Sequence, residues 1–563
     1  MIGKVFWPGA IGSPDEQLLH ALERKEFIRR DRRSAVGGET QYAFLHALVR
    51  DVAYGQIPRA QRAERHRRAA EWIESLAQDR TDDRVEMLAY HYREALALAG
   101  AAGVDASELR EPARAAFTDA AQRAAALNAW ASVAELAQEA LALTHEERPE
   151  RAELLLLLAQ SATFVGRAGG EVDAMAARDA FLALDDRANT AKTKALRSRF
   201  LWRHGDGAGS ATAGRNALAL TEGLPVSVRV ARAFAVEAGR CMLAGEVDRA
   251  IELADRTRAM AETLGRPELE ARALVVRGTA RINVGDSGGL EDLERAIDVV
   301  STTNVVETIF TARNNYAFSL WILGRIDEAE AARELCERVC ERLGFQQGIA
   351  WGTVIKARDQ VTRGDLDGAL ASIARYFELT GGAPNYVDVG ARALRGEIEL
   401  ARGAIDAAVA DTQQALEGAR RSGDPQQLAV SVVSAAWVSL ATGRTEEGDS
   451  LLTEALANEM TVHVWWPLPL LLAEQGRGEE FLAAEAWKGF GWREAGRLVA
   501  AGELTRAAEA YAAIGGHYPE AWARLLAAEA GDKSQLDRAR EMFTRMGATR
   551  FLARCDALLS ASA

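Results

Sequence analysis

The chain has 563 residues, of which 48% are hydrophobic and 26% are charged, and its formal net charge is −13. Because nucleic-acid-binding proteins rely on basic surfaces, this acidic balance argues against a nucleic-acid partner. Four cysteines are too few for a disulfide framework in so long a chain. No apolar run reaches the ~20 residues of a membrane span, and the N-terminus lacks a signal-peptide pattern. We therefore expect a cytoplasmic protein without a membrane partner.

The first 58 residues differ from the rest of the chain. Their patterns predict a helix over 17–27, a strand starting at 28, a turn at 37–38, a return strand over 41–44 and a helix over 45–54. A helix, a hairpin and a second helix in this order are typical of the end of a winged-helix domain. We therefore expect a partial winged helix whose earlier helices are missing.

An arginine-dense helix follows, and Arg59, Arg62 and Arg65 lie on it. These side chains could contact phosphate or an acidic partner surface. Glu64 and Glu71 interleave with them, which favours the alternative of a solvated face with internal ion pairs.

A glycine recurs at steps of 39 or 40 residues through the middle of the chain. Chance does not hold a period over eight units. These glycines are Gly166, Gly205, Gly245, Gly285, Gly324, Gly364, Gly403 and Gly443.

The residues around each glycine repeat as well. In the Gly324 unit, apolar Trp321 precedes the glycine, acidic Asp327 follows three residues later and small Ala329 follows five residues later. We expect the glycine to end one helix in a left-handed conformation and the acid to cap the next helix. The small residue would let the two helices approach closely.

This pattern predicts an all-α fold. The expected architecture is a right-handed solenoid of tetratricopeptide-like repeats with a period of ~40 residues. The predicted domains are a partial winged helix over 1–58, a helical connector with the first helix pairs over 59–144, eight repeats over 145–460 and an irregular C-terminal cap over 461–563.

Two further groups of side chains stand out in the array. Trp465 and Trp466 lie where the period breaks, and they either anchor a partner or pack in the core there. Cys336 and Cys340 share a helix face, which could be half a metal site, but no histidine lies near them in sequence, so buried packing is the favoured interpretation. No catalytic or metal-binding constellation is evident.

Five N-terminal segments resemble the winged-helix region of large bacterial signalling ATPases, closest to the branch linked to class III adenylate or guanylate cyclases. They are residues 3–7 (GKVFW), 22–30 (LERKEFIRR), 42–54 (YAFLHALVRDVAY), 56–60 (QIPRA) and 66–74 (HRRAAEWIE). In that family a P-loop ATPase module precedes the winged helix and the repeats. Here no Gly-x-x-x-x-Gly-Lys-Ser/Thr sequence is present, so the phosphate cradle is missing.

The resemblance implies a non-enzymatic arm of a switch protein. His46 would then sense a nucleotide held by an ATPase module in another chain; the alternative is a packed, locally bonded histidine. We expect no cofactor, with ATP or ADP involved only through that second chain.

Three functions follow, in order of preference. The first is an interaction and sensor arm that binds a protein or a small ligand in its superhelical groove. The second is the regulatory part of a cyclase or ATPase complex, with that module as partner. The third is a fragment of a transcription regulator, which the acidic charge disfavours.

Overall fold

The computed structural model describes residues 5–12, 14–34, 36, 38–76, 84–165, 169–382, 386–457, 466–483 and 492–562. The all-α helical-repeat solenoid is confirmed, because paired antiparallel helices fill most of this part of the chain. The chain divides into two compact units, Met1–Asp185 (unit 1) and Asp186–Ala563 (unit 2).

Unit 1 begins with a small antiparallel sheet. Its strands are β1 (Val5–Phe6), β2 (Ile28–Arg30) and β3 (Tyr42–Phe44), in the order β1-β3-β2. The predicted hairpin is present, with Ile28 opposite Phe44. Assignment of this segment to the winged-helix class stays a prediction.

Strand β1 is an element that the sequence patterns did not predict. The residue after it, Trp7, is 2% exposed, donates a hydrogen bond from Nε1 to Ser34 Oγ at 2.9 Å and stacks on Trp72 at 6.1 Å between ring centroids. Residues 5–7 therefore pack against the rest of the sheet and on the helix that carries Trp72.

Unit 1 also contains a 3-10 turn at Gly9–Ile11 and eight described α-helices. These are α1 (Glu16–Arg24), α2 (Ala47–Gly55), α3 (Arg59–Ser75), α4 (Arg84–Ala102), α5 (Ser107–Ala126), α6 (Trp130–Leu143), α7 (Glu150–Val165) and α8 (Gly170–Ala183).

In the described part of unit 2, the next fourteen helices form seven antiparallel pairs. They are α9 (Arg187–Arg203), α10 (Gly207–Thr221), α11 (Val228–Leu243), α12 (Val247–Leu264), α13 (Pro267–Asn283), α14 (Gly289–Ser301), α15 (Val306–Ile322), α16 (Ile326–Arg342), α17 (Gln346–Arg363), α18 (Leu366–Thr380), α19 (Tyr386–Ala401), α20 (Ile405–Ser422), α21 (Pro425–Ala441) and α22 (Thr445–Ala457).

Shorter helices complete unit 2, with a 3-10 turn at Lys533–Gln535. They are α23 (Pro467–Glu474), α24 (Gly478–Ala483), α25 (Arg493–Ala500), α26 (Leu504–Ala513), α27 (His517–Glu529), α28 (Leu536–Met546) and α29 (Thr549–Ser562). An aromatic cluster joins them to α21, in which Trp522 stacks on Trp437 at 4.6 Å and Phe551 contacts Trp522 at 5.2 Å.

The periodic glycines occupy the turns between paired helices. Every described one has a positive φ, such as +76° at Gly324, a conformation that costs least without a Cβ atom. Gly166 lies outside the described residues.

The expected capping role of the acid three residues later is wrong. Asp327 lies inside the first turn of α16, whose N-cap is Arg325. The carboxylate instead pairs with Arg363 of the next repeat, and Asp367 pairs in the same way with Arg402 at 2.5 Å. These two carboxylates therefore link neighbouring repeats, because each stands two positions too late to cap its helix.

The helix pairs of unit 2 curve until the first pair meets the sixth and seventh. Trp202, in α9, packs on Tyr386 at 4.1 Å between ring centroids. Its Nε1 donates to Asp424 Oδ2 at 3.0 Å, and Asp424 also caps the start of α21. At the start of α10, a Cβ atom on Gly207 would lie 2.1 Å from the carbonyl oxygen of Ser422. We call these contacts the closure.

Candidate ligand-binding site

A cavity of about 240 Å³ lies within the curve of unit 2. The first helices of successive pairs, from α13 to α21, supply most of its wall. Five aromatic side chains line it: Phe318, Trp321, Trp351, Tyr386 and Trp466. Such a wall suits an apolar or aromatic ligand.

A few amides interrupt this aromatic wall. Asn283 is 8% exposed, and neither of its side-chain polar atoms has a hydrogen-bond partner in the described part of the chain. Gln427 Oε1 lacks one within the same residues. Asn315 donates to Thr279 Oγ1 at 3.0 Å. Because a buried unpaired amide costs ~1–3 kcal/mol, the unpartnered groups are suited to a ligand that completes their hydrogen bonds.

Arg358 places a guanidinium against the aromatic wall. The group lies 4.1 Å from the ring centroid of Trp321 and 4.8 Å from that of Phe318. Its Nη2 donates to Asp359 Oδ1 at 3.2 Å. Burial lowers the pKa of Arg358 from its usual value. This side chain braces the two rings by cation–π contact.

Glu397 is the buried acid of the cavity wall. It is 6% exposed, and Oε1 accepts a hydrogen bond from Ser434 Oγ at 2.5 Å. Burial raises the pKa of Glu397 to about 7, although the bond from Ser434 acts in the opposite direction. A carboxyl group with this pKa changes charge near neutral pH.

The residues predicted at the N-terminus lie in unit 1. His46 precedes α2 and is exposed, and its side chain does not cap that helix. A packed, locally bonded histidine is therefore wrong here, and the nucleotide-sensing role stays a prediction.

The arginines of α3 take part mostly in local contacts. Arg62 Nε donates to Ile57 O at 2.8 Å, whereas Arg59 and Arg65 are exposed. On the same helix, Glu64 pairs with both Arg67 and Arg68 at 2.7 Å. The face is thus solvated and contains internal ion pairs, and partner binding by Arg59, Arg62 and Arg65 stays a prediction.

Trp466 is 5% exposed and packs 5.3 Å from Tyr518 in the aromatic cluster while also lining the cavity. Trp465 lies outside the described residues. Cys336 and Cys340 are buried. Across the described ranges, no three His, Cys, Asp or Glu side chains are grouped to hold a metal ion.

A buried histidine pair in unit 1 escaped the sequence patterns. Nδ1 of His66 lies 2.9 Å from Nδ1 of His91, and His66 Nε2 lies 2.9 Å from Tyr54 OH. Burial lowers the pKa of His66 to about 4 and that of His91 to about 3. The pair is therefore neutral at pH 7, and it joins α3 to α4 and α2.

No protein-family model and no curated protein matches the chain. Solved structures are similar to it at low identity. A Rap protein complexed with competence and sporulation factor is 13% identical, with a TM-score of 0.39, over 71% of this chain and 99% of that one. The human IFIT1 dimer with m7Gppp-AAAA is 13% identical, with a TM-score of 0.38, over 73% and 90%.

A third is a signal transduction ATPase with numerous domains, from Pyrococcus horikoshii, which has a tetratricopeptide repeat sensor. It is 12% identical, with a TM-score of 0.34, over 85% of this chain and 62% of that one. Within the described residues, no helix has the length and apolar character needed to cross a membrane.

Proposed function

We propose that the chain is a non-enzymatic, cytoplasmic sensor arm that binds a small ligand in the cavity of unit 2. The unpartnered amide of Asn283 within an aromatic wall carries this proposal. Buried polar groups are normally satisfied, so an orphaned amide facing a cavity of this kind is suited to a ligand.

Ligand binding would act through the curvature of the array. The cavity wall takes residues from six successive first helices, including Met242 on α11 and Gln427 on α21. A ligand that contacts all of them favours the curvature that brings them together. The ligand binds this curvature more tightly than a more open one, and that difference in affinity supplies the free energy of the signal.

The cavity can be tested by filling it from Gly390. This residue of α19 lines the cavity, and a Cβ atom there would meet only Gln427 Oε1, at 3.6 Å. We expect Gly390→Leu to weaken binding of the neutral fluorophore N-phenyl-1-naphthylamine by tenfold or more, measured by fluorescence titration. The matched control is Gly352→Leu in α17, where a Cβ atom meets nothing within 4 Å. Equal affinities in the two variants would show that the fluorophore binds elsewhere.

We further propose that the signal passes to a P-loop ATPase or cyclase module in another chain, as the sequence resemblance implies. The exposure of helix α2 supports the proposal of a protein partner, because none of its residues is buried. Leu48 and Val52 on α2 are 74% and 53% exposed, and Leu45 just before it is 40% exposed. An apolar helix face of this kind is typical of an interface.

Leu48→Asp should abolish co-purification with a co-expressed P-loop module of that family, since an aspartate would be desolvated in the apolar interface. Leu127→Asp is the matched control, since Leu127 is 60% exposed in the same unit. Co-purification that survives Leu48→Asp, or that is lost equally in both variants, would refute α2 as the contact.

A further inference from the structure

Four arginines converge inside the curve of unit 2. Arg199 and Arg203 lie on α9, Arg232 on α11 and Arg272 on α13, and we call them the arginine layer. They are close enough for Arg272 to interact electrostatically with Arg199, Arg203 and Arg232. Glu307, at the start of α15, pairs with Arg199 and lies 3.8 Å from Arg203 Nη2.

The arginine layer holds more positive charge than its neighbours neutralise. Arg232 and Arg272 make neither a hydrogen bond nor an ion pair with any residue in the described ranges. Burial and the neighbouring guanidinium of Arg199 lower the pKa of both Arg203 and Arg272 to about 10. With the Arg266–Glu268 pair beside Arg232, five guanidinium groups face two carboxylates. Partly buried, unneutralised cations attract an anion.

Helix register places this layer next to the cavity. Arg272 precedes the cavity residue Thr279 by seven residues on α13, and Glu307 precedes Asn314 by seven on α15. Seven residues are two helical turns, so each pair shares a face about 10 Å apart along the axis. Gln347 precedes Trp351 by one turn, and its side-chain amide oxygen accepts from Arg203 Nη1 and Nη2 at 3.2 Å once the amide oxygen and nitrogen are exchanged.

We propose that the ligand of unit 2 is an amphipathic anion, whose apolar or aromatic body fills the cavity and whose acidic group binds the arginine layer. This assignment rests on the proposed sensor function and adds the chemical class of the ligand. Arg232 and Arg272 are the residues that bind the acidic group, since Glu307 already pairs with Arg199. The acidic group can be a carboxylate, sulfonate or phosphate, because each matches a guanidinium geometrically.

Two fluorophores that differ by one acidic group test the assignment. 8-Anilinonaphthalene-1-sulfonate and N-phenyl-1-naphthylamine share the same aromatic body, and only the first carries a sulfonate. We expect the full chain to bind the sulfonate more tightly by about tenfold, with an advantage that shrinks in high salt. Gly390→Leu should weaken the binding of both fluorophores, and this result would show that both bind in the cavity.

Charge variants identify the group that binds the anion. Arg272→Gln and Arg232→Gln should each weaken sulfonate binding by about tenfold and leave the neutral fluorophore unchanged. Glu307→Gln should tighten sulfonate binding, because it removes the competing carboxylate. Arg295→Gln is the matched control, as Arg295 lies on α14 with its side chain 69% exposed. Unchanged affinity for the neutral fluorophore shows that each variant is folded.

Two results would overturn the assignment, and they differ from each other. If both fluorophores bind the cavity equally and the arginine variants change neither, the ligand class is wrong while the cavity remains a binding site. If neither fluorophore responds to Gly390→Leu, both the sensor function and the anionic ligand are wrong. The salt dependence of affinity distinguishes a partly buried ion contact from adsorption at the surface, because salt screens exposed charges more strongly than partly buried ones.

Discussion

Gly207→Val should open the closure of unit 2 and weaken ligand binding in the cavity. A Cβ atom at this position would lie 2.1 Å from the carbonyl oxygen of Ser422, and backbone cannot move aside as a flexible side chain can. The start of α10 must therefore withdraw. We expect a loss of about 1–3 kcal/mol in the free energy of unfolding from the overpacking.

Withdrawal of α10 also separates Trp202 from its partners. Trp202 packs on Tyr386, which lines the cavity, and donates to the 5% exposed Asp424. Loss of this donor leaves a buried carboxylate less well satisfied. N-phenyl-1-naphthylamine should therefore bind about tenfold more weakly to Gly207→Val, and the radius of gyration from X-ray scattering should increase.

Gly352→Val is the control for the substitution itself, because its Cβ atom would meet nothing within 4 Å. Gly207→Ala should show a smaller change of the same sign, since alanine adds the clashing atom but no branch. A scattering profile of Gly207→Val identical to that of the unaltered chain would mean that the closure is not what sets the curvature.

The repeats could be predicted because their signal is local. A glycine with positive φ, as at Gly324, ends one helix wherever it stands, and its neighbours mark the next helix within five residues. The same local logic misjudged Asp327. A carboxylate near the start of a helix suggests a capping residue, whereas in the structure Asp327 forms an ion pair with Arg363 of the following repeat. That partner becomes apparent only when the three-dimensional stacking of neighbouring repeats is known.

The cavity could not be predicted because long-range curvature creates it. Trp202 and Asp424 are 222 residues apart, and nothing near either residue in sequence points to the other. One signal was available, since the polar pair Asn314 and Asn315 interrupts an otherwise largely apolar first helix. The arginine layer was equally hidden, because its members are single arginines in separate repeats of a chain rich in arginine.

Glu397→Gln should stabilise unit 2 at alkaline pH and leave it unchanged in acid. Burial raises the pKa of Glu397 from 4.5 to about 7, so the folded state binds more protons than the unfolded state between those values. Stability therefore falls as pH rises through this window and levels off above pH 7. Glutamine carries no charge and can still accept from Ser434 through its amide oxygen.

The pKa difference lowers the free energy of unfolding by about 3 kcal/mol at pH 8, and the variant should regain this amount. Urea unfolding at pH 4 and pH 8 measures this, because pH 4 lies below both pKa values and nearly all of the gain is expected at pH 8. Glu417→Gln is the control, because Glu417 is exposed on α20 of the same array. An equal gain at both pH values would assign the effect to packing instead, because at pH 4 Glu397 is mostly protonated in the folded and unfolded states alike and proton linkage then contributes little. A gain confined to pH 8 would show that the cavity wall carries a carboxyl group whose ionisation the fold resists.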